Sequence, residues 1–238
     1  MTMNKGICTV SVAAIRAEQS HQSEMTSQLL YGETVEILQN KGKFVKVKMH
    51  FDGYEGWIDS QQIVEISDDY FTERKTELVA NTVQMYSTSQ GSILLSMGSE
   101  VNSEKTDPVF LNLETMSATA KQFLNVPYLW SGRSFFGIDC SGFVQLIYKA
   151  HGITLPREAQ QQSEIGEVLS FVEESKPGDL AFFEDEEGRI CHVGMMLADH
   201  EIIHASGKVR IDSLDSTGIF NKELNKHTHK LRFLRSIF

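Results

Sequence analysis

"DCSGFVQLIYKAHG", residues 139–152, has the pattern of a helix with one buried face: Phe143, Leu146, Ile147 and Ala150 recur at i, i+3, i+4 and i+7. Asp139 is a capping type just ahead of it, and Gly152 follows its end. Cys140 therefore falls in the first helical turn. A thiol there sits at the positive end of the helix dipole, which favours the thiolate and predicts a pKa below the usual ~8.5. Working outward, Met116, Ala120, Phe123 and Leu124 predict a helix over Glu114–Asn125, stopped ahead of Pro127. Beyond Gly178 the pattern turns to strands over 179–183, 192–197, 201–205, 209–214 and 231–238. Residues 113–238 thus read as an α+β domain with a candidate nucleophile at a helix start.

Amide cleavage by a thiolate needs a base that later protonates the departing amine, and histidine suits both tasks at neutral pH. Of the eight histidines, His192 in "HVGMML" and His204 in "EIIHAS" flank a turn at residues 198–200. A hairpin centred on Ala198 sets 192 opposite 204, so both imidazoles share a face and one can orient the other. Cys191 points the other way by strand alternation and is expected in the core. The run Glu184–Glu187 reads as a solvated loop tip, and His227 and His229 as exposed loop residues.

Upstream, short β-like runs at 8–15, 29–38, 44–50, 56–58 and 63–66 are parted by turn residues, the pattern of a small barrel over residues 1–66. Residues 67–112 are less regular and read either as a degenerate second unit of the same kind or as a structured linker. At 238 residues the chain has room for two cores. Its formal charge of -10 disfavours nucleic acid, and it lacks the roughly 18 consecutive apolar residues a membrane span needs. Three cysteines suit a reducing compartment better than a disulfide scaffold, so a cytoplasmic location is expected, with export to the cell envelope as the alternative.

The motifs carry a resemblance. "PYLWSG", "DCSGFVQ", "LPREAQQQ", "KPGDLAFF", "HVGMML" and "IIHASG" occur in the order found in NlpC/p60-type papain-like cell-wall peptidases. The resemblance implies a papain-like NlpC-type catalytic domain with Cys140 as nucleophile, His192 as base and His204 as third polar member. Tyr128 and the Cys140 amide would shape the oxyanion site. Ser131 stands where that family usually has glycine, and Glu158 where this branch often has aspartate. The pieces "SEMTSQLLYGETVEIL" and "FVKVKMHFDGYEGWID" resemble a bacterial SH3-like module. Together the two are similar to γ-D-glutamyl-L-diamino acid endopeptidases of the YkfC type, which cut muropeptides whose L-Ala amine is free. That likeness implies substrate contacts from Glu24, Tyr54, Trp130, Ser141 and Glu158, with lysine and meso-diaminopimelate both open as the diamino acid. No cofactor is needed for such chemistry, and a monomer is expected.

Two other functions fit the same residues. Cys140, His192 and His204 form a plausible zinc set, which would make the domain a zinc- or muropeptide-binding module without catalysis. The papain-like fold would equally serve an acyltransferase that passes the acyl group to an amine or lipid.

Overall fold

The computed structural model describes residues 4–104, 110–198 and 200–238. Seven strands, β1 (Asn4–Cys8), β2 (Val12–Arg16), β3 (Met25–Leu30), β4 (Thr34–Lys41), β5 (Phe44–Met49), β6 (Glu55–Asp59) and β7 (Ile63–Ile66), form one antiparallel sheet in the order β3-β2-β6-β5-β4-β1-β7. Two of the expected runs, 8–15 and 29–38, are each split by a tight turn. The sheet curls around Ile15, Leu29, Val35, Val47, Met49 and Ile58, the inward members of its period-2 pattern. In the second turn Gly32 has φ of 78°, and a Cβ there would lie 1.8 Å from the Glu100 carbonyl oxygen. Only glycine lets the barrel turn touch the next segment so closely.

That segment holds α1 (Asp68–Glu73), capped by the Ser67 side chain, and two ribbons of two strands each: β8 (Thr76–Leu78) with β11 (Glu100–Asn102), and β9 (Val83–Thr88) with β10 (Gly91–Ser96). Val79, Leu95 and Val101 form its small core. The remainder of the irregular 67–112 stretch includes residues 105–109, which lie outside the described ones.

The rest is an α+β unit. It contains α2 (Met116–Lys121), the short pair β12 (Arg133–Ser134) and β13 (Gly137–Ile138), α3 (Cys140–Ala150) and α4 (Ala159–Gln162). Its sheet comprises β14 (Glu167–Leu169), β15 (Leu180–Glu184), β16 (Ile190–Met196), β17 (Glu201–Ser206), β18 (Lys208–Leu214), β19 (Gly218–Asn221) and β20 (Lys226–Ser236). The order is β14-β20-β15-β16-β17-β18-β19, and β20 pairs with β19 as well, closing the sheet on itself. The helix expected over 114–125 is shorter, because the chain leaves α2 in turns and reaches Asn125 with φ of 70°. Strand β19, and the first half of β20, went unforeseen: "KHTHK" is polar on both faces and leaves no apolar period to read.

Helix α3 lays Phe143, Val144, Leu146 and Ile147 against Val193, Met195, Ile203 and Ala205. The sheet's opposite face closes over Phe183, Met196, Ile202, Leu214 and Leu234. The two halves meet at a buried ion cluster. Glu33 Oε1 accepts from Arg133 at 2.6 Å and from Lys149 at 2.6 Å, and its Oε2 accepts from Arg133 at 2.8 Å and from the Leu30 amide at 2.8 Å. Phe51 packs over both cations, 5.0 Å from the Arg133 guanidinium and 4.7 Å from the Lys149 ammonium. Gln145 of α3 donates to Asp52 at 2.8 Å and accepts from Arg133 at 2.7 Å.

Candidate active site

Cys140 opens α3. Its cap, Asp139, accepts from the Gly142 amide at 2.6 Å, and Arg157 clasps the same carboxylate at 2.6 and 3.1 Å. Arg157 also donates to Ser141 Oγ at 2.9 Å, so one buried guanidinium sets the first turn of the helix. Gly142 is required by a close approach: a Cβ there would lie 2.3 Å from the Gly132 carbonyl oxygen.

The Cys140 side chain is only 8% exposed. Burial pushes its thiol up to about 12 and the Asp139 carboxylate adds to the rise, while the amides of Val193 and Ser141 and the charge of Arg157 pull the other way. A sulfur ionised at rest, as the helix dipole alone suggests, is therefore corrected: desolvation outweighs the helix terminus. The Val193 contact places the sulfur against β16, one residue from His192.

From His192 runs a chain of three buried side chains. His192 Nε2 lies 2.9 Å from His204 Nδ1, and His204 Nε2 lies 3.1 Å from Asp212 Oδ2. Arg210 holds both Asp212 oxygens at 2.6 and 3.0 Å and reaches Glu223 at 3.0 Å. Burial would raise the Asp212 carboxyl, but the contacts with His204 and Arg210 prevail and lower it. Burial depresses His192 well below 6.5, helped by His204 and His229, and depresses His204 despite Asp212. The tautomers follow. An ionised carboxylate only accepts, so His204 carries its proton on Nε2; its Nδ1 then accepts from His192 Nε2–H, and His192 keeps its lone pair on Nδ1.

The hairpin register differs from the expected one by two residues, with Met195 opposite Ile203 and Met196 opposite Ile202. An even slip preserves the face, so the imidazoles still meet, now diagonally. Gly194 makes room, since a Cβ on it would come 3.0 Å from His204 Cβ. Cys191 is a correction. Glu184 pairs with Ile190 and Phe183 with His192, so Cys191 is the extra residue of a β-bulge; alternation fails there and the thiol is exposed in the cleft wall instead of the core. His229 is a second correction. It lies on β20, half-buried, with its ring stacked on that of His192 at 4.2 Å.

A cleft of about 500 Å³ opens over Cys140. Tyr128, Trp130, Ser141 and Glu158 line it from the α+β side, and Glu24 and Tyr54 from the barrel side. The Trp130 indole donates to Glu24 Oε1 at 2.9 Å, while the Tyr54 hydroxyl hydrogen-bonds with Thr26 and Glu158. Burial pushes Tyr128 up to about 12, with the neighbouring Cys140 and Asp139 adding to the rise, so at neutral pH its hydroxyl is an O–H donor in the cleft. Ser131 adopts φ of 62°, the left-handed backbone for which glycine is suited. The acidic run is less remote than expected, for Asp185, paired with Arg189 at 2.8 Å, reaches the cleft rim. Of the sequence-predicted residues, His192 and His204 do not line this cleft: His192 faces an adjoining hollow, and His204 is 1% exposed behind it.

Three residues escaped the sequence reading: Arg157, Asp212 and His229. A signal existed for Asp212. The tight Ser206–Lys208 turn, with φ of 70° at Gly207, pairs Ile202 with Asp212 and so puts its side chain on the histidine face. The group with metal-binding geometry among the described residues is His192, His204 and His229, in place of the set with Cys140.

Fold and cleft together define a class: a papain-like cysteine peptidase domain docked on an SH3-like barrel. Residues 125–229 match the NlpC/P60 family, and residues 15–63 match the bacterial dipeptidyl-peptidase SH3 domain. The γ-D-glutamyl-L-lysine dipeptidyl-peptidase of Bacillus cereus (strain ATCC 10987 / NRS 248) is 31% identical over 245 residues, 84% of this chain and 73% of that one. Its namesake in Bacillus subtilis (strain 168) is 30% identical, over 92% of this chain and 81% of that protein. The crystal structure of an NlpC/P60 family protein from Bacillus cereus ATCC 10987 superposes with a TM-score of 0.82 at 23% identity, covering 98% and 99% of the two chains. The chain belongs to the NlpC/P60 family and is a cysteine peptidase.

Proposed function

We propose that the chain hydrolyses the γ-D-glutamyl-L-diamino acid bond of murein peptides whose N-terminal L-Ala amine is free, with Cys140 as nucleophile and His192 as base. The observation that carries this reading is a single cleft lined both by Cys140 and by a carboxylate from the other module, Glu24. The names of the two Bacillus relatives support the bond assigned.

At rest the pair is thiol and neutral imidazole. As the sulfur attacks the γ-glutamyl carbonyl, its proton passes to His192 Nδ1, the nitrogen left basic by the His204–Asp212 chain. The resulting imidazolium is held by His204 and, through it, by the Asp212 charge. The Cys140 amide and the Tyr128 hydroxyl supply hydrogen bonds to the oxyanion. His192 then protonates the departing diamino-acid amine, and water, deprotonated by the same imidazole, releases the acyl group. Glu24, Tyr54 and Glu158 take the substrate's ammonium, with Trp130 and Ser141 along the cleft wall. A cytoplasmic site of action belongs to the same proposal and rests on the free thiols Cys8, Cys140 and Cys191.

The test is turnover of L-Ala-γ-D-Glu-diamino acid tripeptide with and without an N-acetyl block. Glu24 and Glu158 are both exposed, so loss of the charge pair is worth about 1 kcal/mol and predicts roughly 5-fold lower kcat/KM for the blocked peptide. Equal rates would remove the amine-recognition step from the proposal.

A further inference from the structure

His229 has no part in the chemistry just described, yet it stands in the middle of it. Its ring stacks on His192 at 4.2 Å and 25°, and meets His204 edge-on at 5.7 Å and 84°. One ring nitrogen from each of the three lies within 4.8 Å of the others. The Nδ1 of His229 is engaged by Thr228 Oγ1 at 2.9 Å, and its Nε2 has no hydrogen bond among the described residues. A hollow of about 320 Å³, bordered by Tyr128, Cys191, Ser206 and Gly207, opens onto His192 and His229 from solvent.

We propose that His192, His204 and His229 form a reversible site for a divalent transition-metal ion of the zinc class, and that its occupation switches the peptidase off. Imidazole nitrogens are the ligands such ions favour, and three of them with an open fourth position suit tetrahedral zinc. A Zn–N bond of about 2.0–2.1 Å requires ring nitrogens roughly 3.3 Å apart. His192 and His204 stand at 2.9 Å, so that pair has to open by about 0.4 Å as the ion replaces the proton between them, and the half-buried His229 has to close in. Behind the ligands, Asp212 accepts from His204 Nε2 at 3.1 Å and is itself fixed by Arg210, the carboxylate support that metal-bound imidazoles commonly have.

The consequence for turnover follows from proton positions, and this part alone rests on the proposed role of His192. His204 already presents a bare Nδ1. His192 binds the ion through Nε2, so the proton now on Nε2 moves to Nδ1. The ring stays neutral and no proton is lost, but the nitrogen that takes the thiol proton is occupied. The metal and the catalytic cycle therefore compete for one imidazole.

The experiment titrates zinc sulfate into the full chain by calorimetry and adds Co²⁺ to follow the visible spectrum. Expected are one ion per chain, retained in Cys140→Ala, weakened about 10–100-fold in Asp212→Asn and lost in His229→Gln. Co²⁺ bound to the unaltered chain should give tetrahedral d–d absorption with no thiolate charge-transfer band, a readout that needs no variant. Tripeptide turnover should fall with zinc and return with chelator, while His229→Gln, normalised to its own metal-free rate, stays insensitive. Absent binding, binding unchanged in His229→Gln, binding lost in Cys140→Ala, or a thiolate band each overturn the site. Full activity with the site loaded overturns the switch. Because binding is read without substrate, an inactive tripeptide assay would count against the proposed function and leave the metal result standing.

Discussion

Asp212 shows how much of this site depends on a residue that touches neither substrate nor sulfur. Its two oxygens are both committed, one to His204 and Arg210 and the other to Arg210 alone. In Asp212→Asn one oxygen becomes an NH₂ group. Facing Arg210 it meets a donor; facing His204 it reverses the tautomer chain and places a proton on His192 Nδ1. Either way His192, the proposed base, is impaired while the cleft lining is untouched. The expected outcome is a fall in kcat of about 100-fold with KM little changed; a matched rise in KM would mean the aspartate shapes the cleft instead. At this scale the helix-opening cysteine and the paired histidines were legible because their types, order and strand phase are local properties of the chain. Arg157 and His229 were not. Each acts across a fold-back, and nothing in "LPREAQQQ" or "NKHTHK" states what lies opposite. The resting state of the sulfur was misjudged for a related reason, since the dipole is legible from position but desolvation depends on what covers it.

At the scale of elements, the first turn of α3 is held by contacts on every side. The Asp139 cap, the Arg157 clasp and the Gly132–Gly142 approach leave no room for a side chain at position 142. Gly142→Ala should therefore cost about 1–3 kcal/mol by overpacking and displace Cys140 with it. Thermal melting together with peptide turnover would check this, and an unshifted melting temperature would contradict the account. The helix over 140–150 and the strands around it were readable from periodicity. The register of β16 on β17, the bulge at Cys191 and the closure of β20 onto β19 were not, because apolar alternation fixes a face and leaves a slip of two residues free.

For the whole molecule, the decisive contacts join residues about a hundred positions apart, where sequence patterns are silent. Glu33 lies among them. Burial alone would raise its carboxyl, but Arg133 and Lys149 hold it down at about 2 against an ordinary 4.5. A carboxyl depressed on folding contributes stability that is complete above about pH 4.5 and is lost as the pH falls toward 2. Glu33→Gln should cost about 3–5 kcal/mol at neutral pH by stranding two buried cations, and should flatten that acid-side loss. Denaturant midpoints measured from pH 7 down to about pH 3 would show it, and an acid slope identical in the variant would assign the loss to other carboxyls. The barrel was legible as a module from its alternating runs, yet its role as one wall of the cleft rests on Glu24 meeting Trp130, which only the docked halves reveal. One further consequence lies in α3 itself. The same rod that carries Cys140 at its tip carries Gln145 and Lys149, whose partners belong to the barrel and its turn. Without the leading module both side chains lose those partners, and the helix that positions Cys140 loses its anchor at the far end.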